Sequence, residues 1–491
     1  MFDASRVCFE DTLGWLAGPD ARALTHAELE DQLDRRGREL LRRMCQAHLS
    51  VRAANESRID LVRDAEAVVH GAVEIGHRRP LATIFGEVDV ERLAYRHRGH
   101  PNLYPADAVL NLPAERHSHG LRRLAAVEAS RGSFAEASEA VERATHQRVA
   151  KRQIEALAAR AAADVETFYA TRPRPQAAAG DVLVISADGK GIVMRPDSLR
   201  PLTAKAAAVA TNKLGCRLSK GEKRNRKRLA EVGAVYDLTP VARTATDILV
   251  SKTDNDPATP TPHATAKWVT ASVVDDAATV IGKVFDEAQR RDPHHLRTWV
   301  ALVDGNNHQI HSIQAQAKTR QLDVTVVIDV IHVLEYLWGA AWCFFTEGDT
   351  AAEAWVRDRA LAVLEGHARD VATGIRRRAT TTRLAKHRRI KADACAAYLT
   401  NKADYLDYPT ALAQGWPIAS GVIEGTCRYL VADRMDITGA RWSVTGAEAV
   451  LKLRAIRAND DFDEYWKFHL NNERHRVHET RYANHTLPTA A

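Results

Sequence analysis

Two aspartates carry the clearest chemical signal in this chain. Asp188 ends the apolar run VLVISAD (182–188), Asp304 follows the apolar run in TWVALVDG (298–305), and a glycine comes directly after each aspartate. A carboxylate at the end of a buried strand lies at the rim of an α/β sheet, where such sheets bind their ligands. If the two strands are neighbours, both carboxylates reach one metal ion. Hard oxygen ligands without a nearby cysteine favour Mg²⁺ or Mn²⁺ over zinc.

A glutamate later in the chain is the third candidate ligand. Glu424 lies within residues 419–443, and if IEGTCRYLVADRM is helical, Glu424 and Arg428 are one turn apart on the same face. Each carboxylate alone also has a structural interpretation, because aspartate before glycine often begins a turn and a helical glutamate is often a surface residue. The combination of two strand-end aspartates, a late glutamate and basic segments between them favours a metal site.

Two segments concentrate positive charge in a chain whose net charge is +6. Residues 213–228 hold eight Lys and Arg against one acid, and residues 374–391 hold eight and no acid. Such blocks are typical of surfaces that contact nucleic-acid phosphates, and a solvated surface or flexible loop is the alternative interpretation. The DNA-contacting candidates of the first block are Lys223, Arg224, Arg226, Lys227 and Arg228.

Residues 133–160 have the pattern of two short helices around a tight turn. Apolar residues recur on one face of each helix, and a polar break separates the helices at residues 145–147. The second helix is basic and contributes Arg148, Lys151 and Arg152. This arrangement predicts a helix-turn-helix for the DNA major groove, and an ordinary helical hairpin is the alternative.

The N-terminal third is expected to be mainly helical. Residues 25–75 have helical apolar spacing and begin with a capping box, Thr25 and Glu28. Residues 81–99 are rich in β-formers and predict a hairpin broken near Gly86. The Pro/Ala/Gly-rich segment 171–181 reads as a linker.

Beyond that linker the periodicity changes to that of an α/β layer, a mixed sheet covered by helices. The segment 182–188 predicts a central strand that pairs with 191–196 across Gly189-Lys190. Segments 234–238 and 246–251 offer one further strand, and two more strands are predicted at 298–305 and 324–330. An amphipathic helix is expected within 269–292, and most of 331–400 is expected to be helical.

Composition excludes several classes of protein. No apolar run approaches the roughly 18 residues that span a bilayer, and the N-terminus lacks the pattern of a secretion signal. The six cysteines are far apart and form no CxxC pair, which argues against a zinc or disulfide framework. We therefore expect a protein of the reducing cytoplasm.

Five blocks of the chain resemble, in order, the insertion-sequence transposases of the ISKra type from bacteria. The blocks are SADGKGIVMRPDSLR, KGEKRNRKRLAEVGAVYDLTP, WVALVDGNNHQI, VVIDVIHVLEYLW and SGVIEGTCRYLVADRMDITGARWS. The resemblance covers roughly residues 180–460. It implies an RNase H-like catalytic domain with an Asp-Asp-Glu triad, Asp188, Asp304 and Glu424, and two Mg²⁺ or Mn²⁺ ions. It also implies a mostly helical insertion before the glutamate.

The second aspartate of the triad has a rival. Asp329 also ends a predicted strand, and His332 follows it by three positions. In the RNase H-like order the second catalytic aspartate follows the fourth strand, adjacent to the first. Our strand count makes 298–305 that strand, so Asp304 is favoured, and Asp329 takes the role if the count is wrong by one.

These features predict a division of the 491-residue chain into several regions. The regions are 1–117, helical with a hairpin; 118–170, helix-turn-helix-like; 181–330, the first part of the catalytic core; 331–415, the helical insertion; 416–470, the core part with the glutamate; and 471–491, a tail.

The expected activity is DNA transposition. The partners would be double-stranded DNA, both the terminal inverted repeats and the target, and further copies of this chain. Arg428, Arg434 and Arg441 follow the glutamate and are candidates to contact phosphates. Trp442 is a candidate for base stacking or for the core. The alternatives are another RNase H-like endonuclease or resolvase, and a non-enzymatic DNA-binding protein derived from a transposase.

Overall fold

The computed structural model describes residues 1–173, 180–209, 226–249, 262–346, 348–437 and 439–488. The chain forms two compact units. The first contains residues 1–170 and 460–491, and the second contains residues 171–459. Residues 460–470, which the sequence grouped with the catalytic core, thus belong to the first unit.

The first unit is mainly helical and contains a β-hairpin. Its helices are α1 (Asp3–Ala17), α2 (Pro19–Arg22), α3 (His26–Ala54), α4 (Pro105–Val109), α5 (His119–Arg131), α6 (Phe134–Thr145), α7 (Lys151–Ala161), α8 (Val165–Thr171), the C-terminal helix (Phe462–Val477) and the 3₁₀ turns Glu479–Arg481 and Ala483–His485. The hairpin strands are β1 (Ala72–Thr83) and β2 (Gly86–Arg96).

Helix α3 is shorter than the sequence predicted. The predicted capping box is present, with the Thr25 hydroxyl accepting from the Glu28 N–H and the Glu28 carboxylate accepting from the Thr25 N–H. The helix nevertheless ends at Ala54 and does not continue to residue 75. Residues from Ala72 onward instead pair with β2, because cross-strand pairing overrides a weak helical pattern.

The predicted hairpin is confirmed and starts earlier than expected. Thr83 pairs with Gly86 across a two-residue turn. Gly86 has φ +134°, and a Cβ there would lie 2.7 Å from Cδ of Arg42 on α3, so the turn requires glycine. A register shift between Glu74 and His77 bends the ladder.

The two predicted short helices at 133–160 are confirmed as α6 and α7. Helix α6 begins with a capping box at Ser133 and ends at His146, which has φ +53°. The predicted apolar faces are buried: Phe134, Ala137, Val141, Val149, Ile154 and Leu157.

The second unit is built on a five-stranded mixed sheet with helices around it. Its strands are β3 (Val182–Val193), β4 (Lys227–Leu238), β5 (Ala264–Ser272), β6 (Trp299–Val303) and β7 (Val324–Ile328). Its helices are α9 (Pro201–Val209), α10 (Ala245–Leu249), α11 (Ala277–Arg291), α12 (Asn307–Arg320), α13 (Val330–Ala341), α14 (Thr350–Leu364), α15 (Ala368–Thr381), α16 (Ile390–Asn401), α17 (Tyr408–Ala413), α18 (Gly421–Thr426), a π-helix (Cys427–Ala432), α19 (Asp433–Met435), α20 (Val444–Ala458) and the 3₁₀ turns Pro196–Ser198 and Ala403–Tyr405.

The strand order is β5-β4-β3-β6-β7. Strands β3, β4 and β5 pair antiparallel, and β6 and β7 continue the sheet parallel to β3. Strands β3, β6 and β7 were predicted from their continuous apolar runs, which suit central strands covered on both faces. The predicted α/β class is therefore confirmed at the level of a mixed sheet flanked by helices.

Three predictions about the strands were wrong. Residues 182–193 form one continuous strand, so no turn occurs at Gly189-Lys190, because β4 pairs along the whole length of β3. Within the predicted strand 246–251, residues 245–249 form the short helix α10, and residues 250–251 lie outside the described residues. Strand β5, whose outer half is exposed and polar, was not predicted.

Helices cover both faces of the sheet. One face packs on α13–α17, which span residues 330–413 and form the helical insertion predicted from the sequence. Helix α11 covers the other face, where a Cβ on Gly233 would lie 2.4 Å from Cγ2 of Val284. Glycine at this position therefore lets the helix approach the sheet closely. Across the described ranges, no helix combines the length and apolar character needed to cross a membrane.

Candidate active site

Asp188 lies within β3, and Asp304 directly follows β6, the parallel neighbour of β3. The last pair of the β3–β6 ladder is Ser186 with Leu302, and each aspartate comes two residues after it. Side chains alternate along strands, so both aspartates belong to the face of the sheet that packs on the helical insertion. The pairing of β3 with β6 ends at Ser186 and Leu302, and beyond Ser186 strand β3 pairs only with β4. Asp188 thus lies at the rim of the parallel part of the sheet, although it lies inside β3.

The carboxylate of Asp188 is half-buried and contacts the helix that bears Glu424. Its Oδ1 accepts a hydrogen bond from the Gly189 N–H at 2.6 Å. Its Oδ2 accepts one from the Cys427 thiol at 3.2 Å. Burial, together with the nearby charge of Asp188, raises the pKa of the Cys427 thiol, which therefore stays protonated and acts as a donor.

Asp304 begins the turn between β6 and α12. Its Oδ1 accepts from the Asn306 N–H at 2.8 Å, and its backbone carbonyl accepts from the Tyr398 hydroxyl at 3.1 Å. Gly305 has φ +92°, and a Cβ there would lie 2.7 Å from the Tyr398 hydroxyl, so glycine is required at this turn. Asp304 is thus a turn residue, as the structural interpretation of the sequence proposed. Its second carboxylate oxygen, Oδ2, has no hydrogen-bond partner among the described residues.

Asp329 is the most buried of the three aspartates, and its oxygens are fully engaged. Extending the β6–β7 ladder by one residue sets it beside Asp304. Its Oδ1 accepts from the Ile331 N–H at 2.8 Å, and its Oδ2 accepts from the N–H of Ser420 at 3.1 Å and from the Ser420 hydroxyl. Burial alone would raise the pKa of Asp329, but these hydrogen bonds and His332 lower it on balance.

His332 is paired with Asp329 on the first turn of α13. Nδ1 of His332 lies 3.8 Å from Oδ2 of Asp329. The Asp329 carboxylate, with smaller contributions from Asp304 and Glu335, raises the pKa of His332 to about 9. His332 is therefore a cation at neutral pH, placed among carboxylates.

Glu424 lies on the short helix α18, and its side chain is exposed. The α-helix changes to a π-helix at Cys427, so the predicted helix is present but its simple one-turn spacing to Arg428 is interrupted. Irregular turns of this kind are frequent at functional sites. Helix α18 packs on β3 and β4, which brings Glu424 to the edge where Asp188 lies.

The closest grouping of potential metal ligands at this edge is not the predicted triad. Ligand atoms of Asp329, His332 and Glu424 all lie within 4.8 Å of one another, whereas Asp188, Asp304 and Glu424 do not form such a group. Carboxylates that serve different ions of a pair, with the ions about 3.5–4 Å apart, do not need to lie this close together. The grouping shows that Glu424 lies close to Asp329 and His332.

Three contacts at the site were not foreseen from the sequence. Ser420 joins the start of α18 to Asp329, and Cys427 joins the following π-helix to Asp188. Lys402, buried on the helical insertion, donates to Asn307 in the turn after Asp304. None of these residues has a local sequence signal, because each contact joins segments far apart in the chain.

The predicted DNA-contacting residues fall into exposed and buried groups. The exposed side chains are Arg148, Lys151, Arg152, Arg226, Lys227, Arg428 and Arg441, and Nζ of Lys227 lies 3.5 Å from Oδ2 of Asp436. Arg228 is half-buried and donates to the Val273 carbonyl at 2.6 Å. Lys223 and Arg224 lie outside the described residues.

Arg434 and Trp442 are part of the core of the second unit. Arg434 is 4% exposed, and its guanidinium lies 4.7 Å from the centre of the Trp442 ring. The Trp442 indole donates to the Met435 carbonyl at 3.0 Å. This burial favours the core interpretation of Trp442 over base stacking, and it gives Arg434 a packing role.

No protein-family model and no curated protein matches the chain. Among solved structures, it is similar to one described as the Drosophila P element transposase strand transfer complex, with 8% sequence identity and a TM-score of 0.23. The match covers 72% of this chain and 80% of that chain. A TM-score this low carries no argument, so the function is inferred from the geometry of the site.

Proposed function

We propose that this chain is a DNA transposase of the insertion-sequence type, with Asp188, Asp304 and Glu424 as the metal-binding triad on an RNase H-like sheet. The observation that carries the proposal is that Asp188 and Asp304 each come two residues after the last pair of the parallel β3–β6 ladder, while the helix that bears Glu424 packs on β3. The strand order supports it, since β6 is the fourth strand of the sheet along the chain and lies next to the first, β3.

The donor set fits hard divalent cations. Glu424 and Oδ2 of Asp304 have no hydrogen-bond partner among the described residues, and Asp188 keeps only a weak thiol donor at Oδ2. Converging carboxylates with free oxygens repel one another unless a cation lies between them, and oxygen-only ligands suit Mg²⁺ or Mn²⁺. Bound there, two such ions would supply an activated water and neutralise the charge on the departing oxygen.

The proposed reaction has two chemically similar steps. Hydrolysis at the transposon end breaks a P–O3′ bond and forms a P–O bond to water, leaving a 3′-OH and a 5′-phosphate. The 3′-OH then attacks a target phosphodiester, and a target 3′-oxygen leaves. Exposed Arg428 and Arg441 follow Glu424 in the chain and are proposed to bind the flanking phosphates. No covalent bond between protein and DNA is needed.

Two other basic surfaces complete the proposed DNA contacts. Helix α7 and the turn before it present Arg148, Lys151 and Arg152 to solvent, and the proposal assigns them to recognition of the terminal inverted repeat. The basic block at 213–228, including Lys223 and Arg224, is assigned to the phosphates of the same DNA. Joining two ends in concert requires two active sites, so the proposal includes an oligomer on DNA.

The experiment that tests this function is a cleavage and strand-transfer assay. A labelled duplex carrying the DNA that flanks the coding sequence is incubated with the full chain and a target plasmid, with Mg²⁺ or with EDTA. The variants are Asp188→Asn, Asp304→Asn and Glu424→Gln, and Asp323→Asn is the matched control at the exposed start of β7. We expect metal-dependent joined products with wild type and Asp323→Asn, and none with the three triad variants.

The other outcomes separate the alternatives. Metal-dependent cleavage without joining would identify an endonuclease or resolvase. Sequence-specific DNA binding without any cleavage would identify a non-enzymatic DNA-binding protein. Activity that survives in Asp304→Asn would disprove the triad as we assign it.

A further inference from the structure

A carboxylate and two imidazoles converge in the first unit. Oδ2 of Asp64 lies 3.0 Å from Nε2 of His70 and 2.9 Å from Nδ1 of His100. All three ligand atoms lie within 4.8 Å of one another. Asp64 and His70 are buried, whereas 27% of the His100 side chain is exposed. The cluster therefore has a fixed inner face and one side open to solvent.

Both ring nitrogens of His70 face oxygen atoms that accept hydrogen bonds. Its Nδ1 lies 3.2 Å from the backbone carbonyl of Tyr95, which can only accept, so Nδ1 carries a hydrogen. In a neutral imidazole, Nε2 then has a lone pair, and it faces the carboxylate oxygen of Asp64 at 3.0 Å. Two acceptors at this distance repel each other. Either a second proton on His70 or a metal ion removes the conflict.

The surrounding backbone holds the carboxylate and one imidazole in place independently of any ion. Oδ1 of Asp64 accepts from the N–H groups of Glu66 and Val68 at 3.0 and 2.9 Å, which leaves Oδ2 to face the histidines. The contact from Nδ1 of His70 to a backbone carbonyl is the kind that orients metal-binding histidines. Both residues are thus arranged as ligands with their supporting hydrogen bonds already formed.

We propose that Asp64, His70 and His100 bind a Zn²⁺ ion. Two imidazoles and one carboxylate suit zinc, whereas Mg²⁺ prefers oxygen ligands alone. Zinc bonds of 2.0–2.1 Å in a tetrahedron place neighbouring ligand atoms about 3.3 Å apart, so the two separations from Oδ2 of Asp64 need only a small adjustment. Water completes the coordination on the exposed side.

The ion would fasten an irregular segment to the hairpin. Residues 55–71 contain neither a helix nor a long strand, and they connect α3 to β1. Asp64 and His70 belong to this segment, while His100 follows β2 after Gly99, which has φ +87°. A metal bound by all three residues cross-links the two segments in the folded state and stabilises it. This role is independent of the proposed catalytic function.

Zinc titration of the full-length protein tests the proposal. Protein freed of metal by chelator dialysis is titrated with Zn²⁺ in excess Mg²⁺, so that oxygen-ligand sites are already filled. Binding is measured by calorimetry, and the melting temperature is measured with and without Zn²⁺. The variants are His100→Ala, at the exposed ligand, and Asp64→Asn, which retains Oδ1. The matched control is His77→Ala, a hairpin histidine whose Nε2 lies 3.4 Å from Glu74.

We expect wild type and His77→Ala to bind one zinc ion per chain and to melt at a higher temperature when it is bound. His100→Ala and Asp64→Asn should bind at least about 100-fold more weakly and gain no thermal stability, because each loses a ligand. If the wild type does not bind zinc, or if both variants bind zinc as tightly as the wild type, the proposal is wrong. Asp64 and the two histidines would then be held together by hydrogen bonds and ion pairing without a metal.

Discussion

Asp329 holds two elements of the candidate site together. Its oxygens receive the N–H of Ile331 at the start of α13 and both donors of Ser420 at the start of α18. It is fully buried and neighbours Asp304, so it is well placed to position Glu424 through α18. Both carboxylate oxygens of Asp329 accept hydrogen bonds, whereas Oδ2 of Asp304 accepts none from the described residues. This difference favours Asp304 over Asp329 as the metal ligand.

Replacing Asp329 should therefore change stability as well as activity. In Asp329→Asn, an amide N–H₂ faces the donors of Ser420, and we expect the free energy of unfolding to fall by about 2–3 kcal/mol. Ser420→Ala removes one donor and should cost about 1 kcal/mol. Asp304→Asn should unfold like wild type in urea while losing cleavage. If Asp329→Asn keeps wild-type stability and loses all metal-dependent cleavage, Asp329 is the ligand.

The pair of His332 and Asp329 should make stability depend on pH. The pKa of His332 is raised to about 9, above the ordinary value of about 6.5. A raised pKa means that the stabilisation is complete below about pH 6.5 and is lost as the pH rises through about 9. The difference in melting temperature between wild type and His332→Gln should thus be largest near pH 6 and vanish near pH 10. The control is His308→Gln, at an exposed histidine. A difference in melting temperature that stays constant from pH 6 to pH 10 would contradict the ion pair between His332 and Asp329.

At the scale of elements, the sequence predicted what depends on local patterns. Strands β6 and β7 were found from continuous apolar runs, and α6 and α7 from the helical spacing of their apolar residues and the polar break between them. The false turn at Gly189 arose because glycine usually interrupts strands, whereas here the ladder with β4 continues through it. Strand β5 was missed because its polar, exposed half lacks an apolar pattern. Long-range pairing decided both cases.

Helix α7 permits a direct test of DNA recognition at this scale. The triple variant Arg148→Ala, Lys151→Ala and Arg152→Ala removes exposed positive charge and leaves the buried face of the helix intact. Each side chain that no longer neutralises a phosphate should reduce the slope of log affinity against log salt by about 0.9, so the slope should fall by up to about 3.

Fluorescence anisotropy with the terminal duplex at several salt concentrations measures this slope. The control is Arg143→Ala, an exposed arginine on α6 that lies 3.9 Å from Glu139. An unchanged slope in the triple variant would leave α6 and α7 as an ordinary helical hairpin.

At the scale of the whole molecule, the candidate site was partly predictable. Asp188 and Asp304 were identified because an apolar run ends at each of them, and each comes two residues after the last pair of the β3–β6 ladder. Their link to α18 through Cys427, and the link from Asp329 to Ser420, join residues 239 and 91 positions apart. Contacts over such separations depend on how the helical insertion packs on the sheet, which no local pattern encodes.

Mixing active and inactive chains tests whether one molecule can complete the proposed reaction alone. We consider an equal mixture of wild type and Asp304→Asn in which each transposon end is processed by a different protomer. Random assembly leaves about a quarter of the dimers with two active sites, so the total number of ends processed should fall to about half and concerted two-end products to about a quarter. Gel quantification of both products at constant total protein measures the ratio. If two-end products also fall only to half, a single protomer processes both ends, and the oligomer is not required for joining.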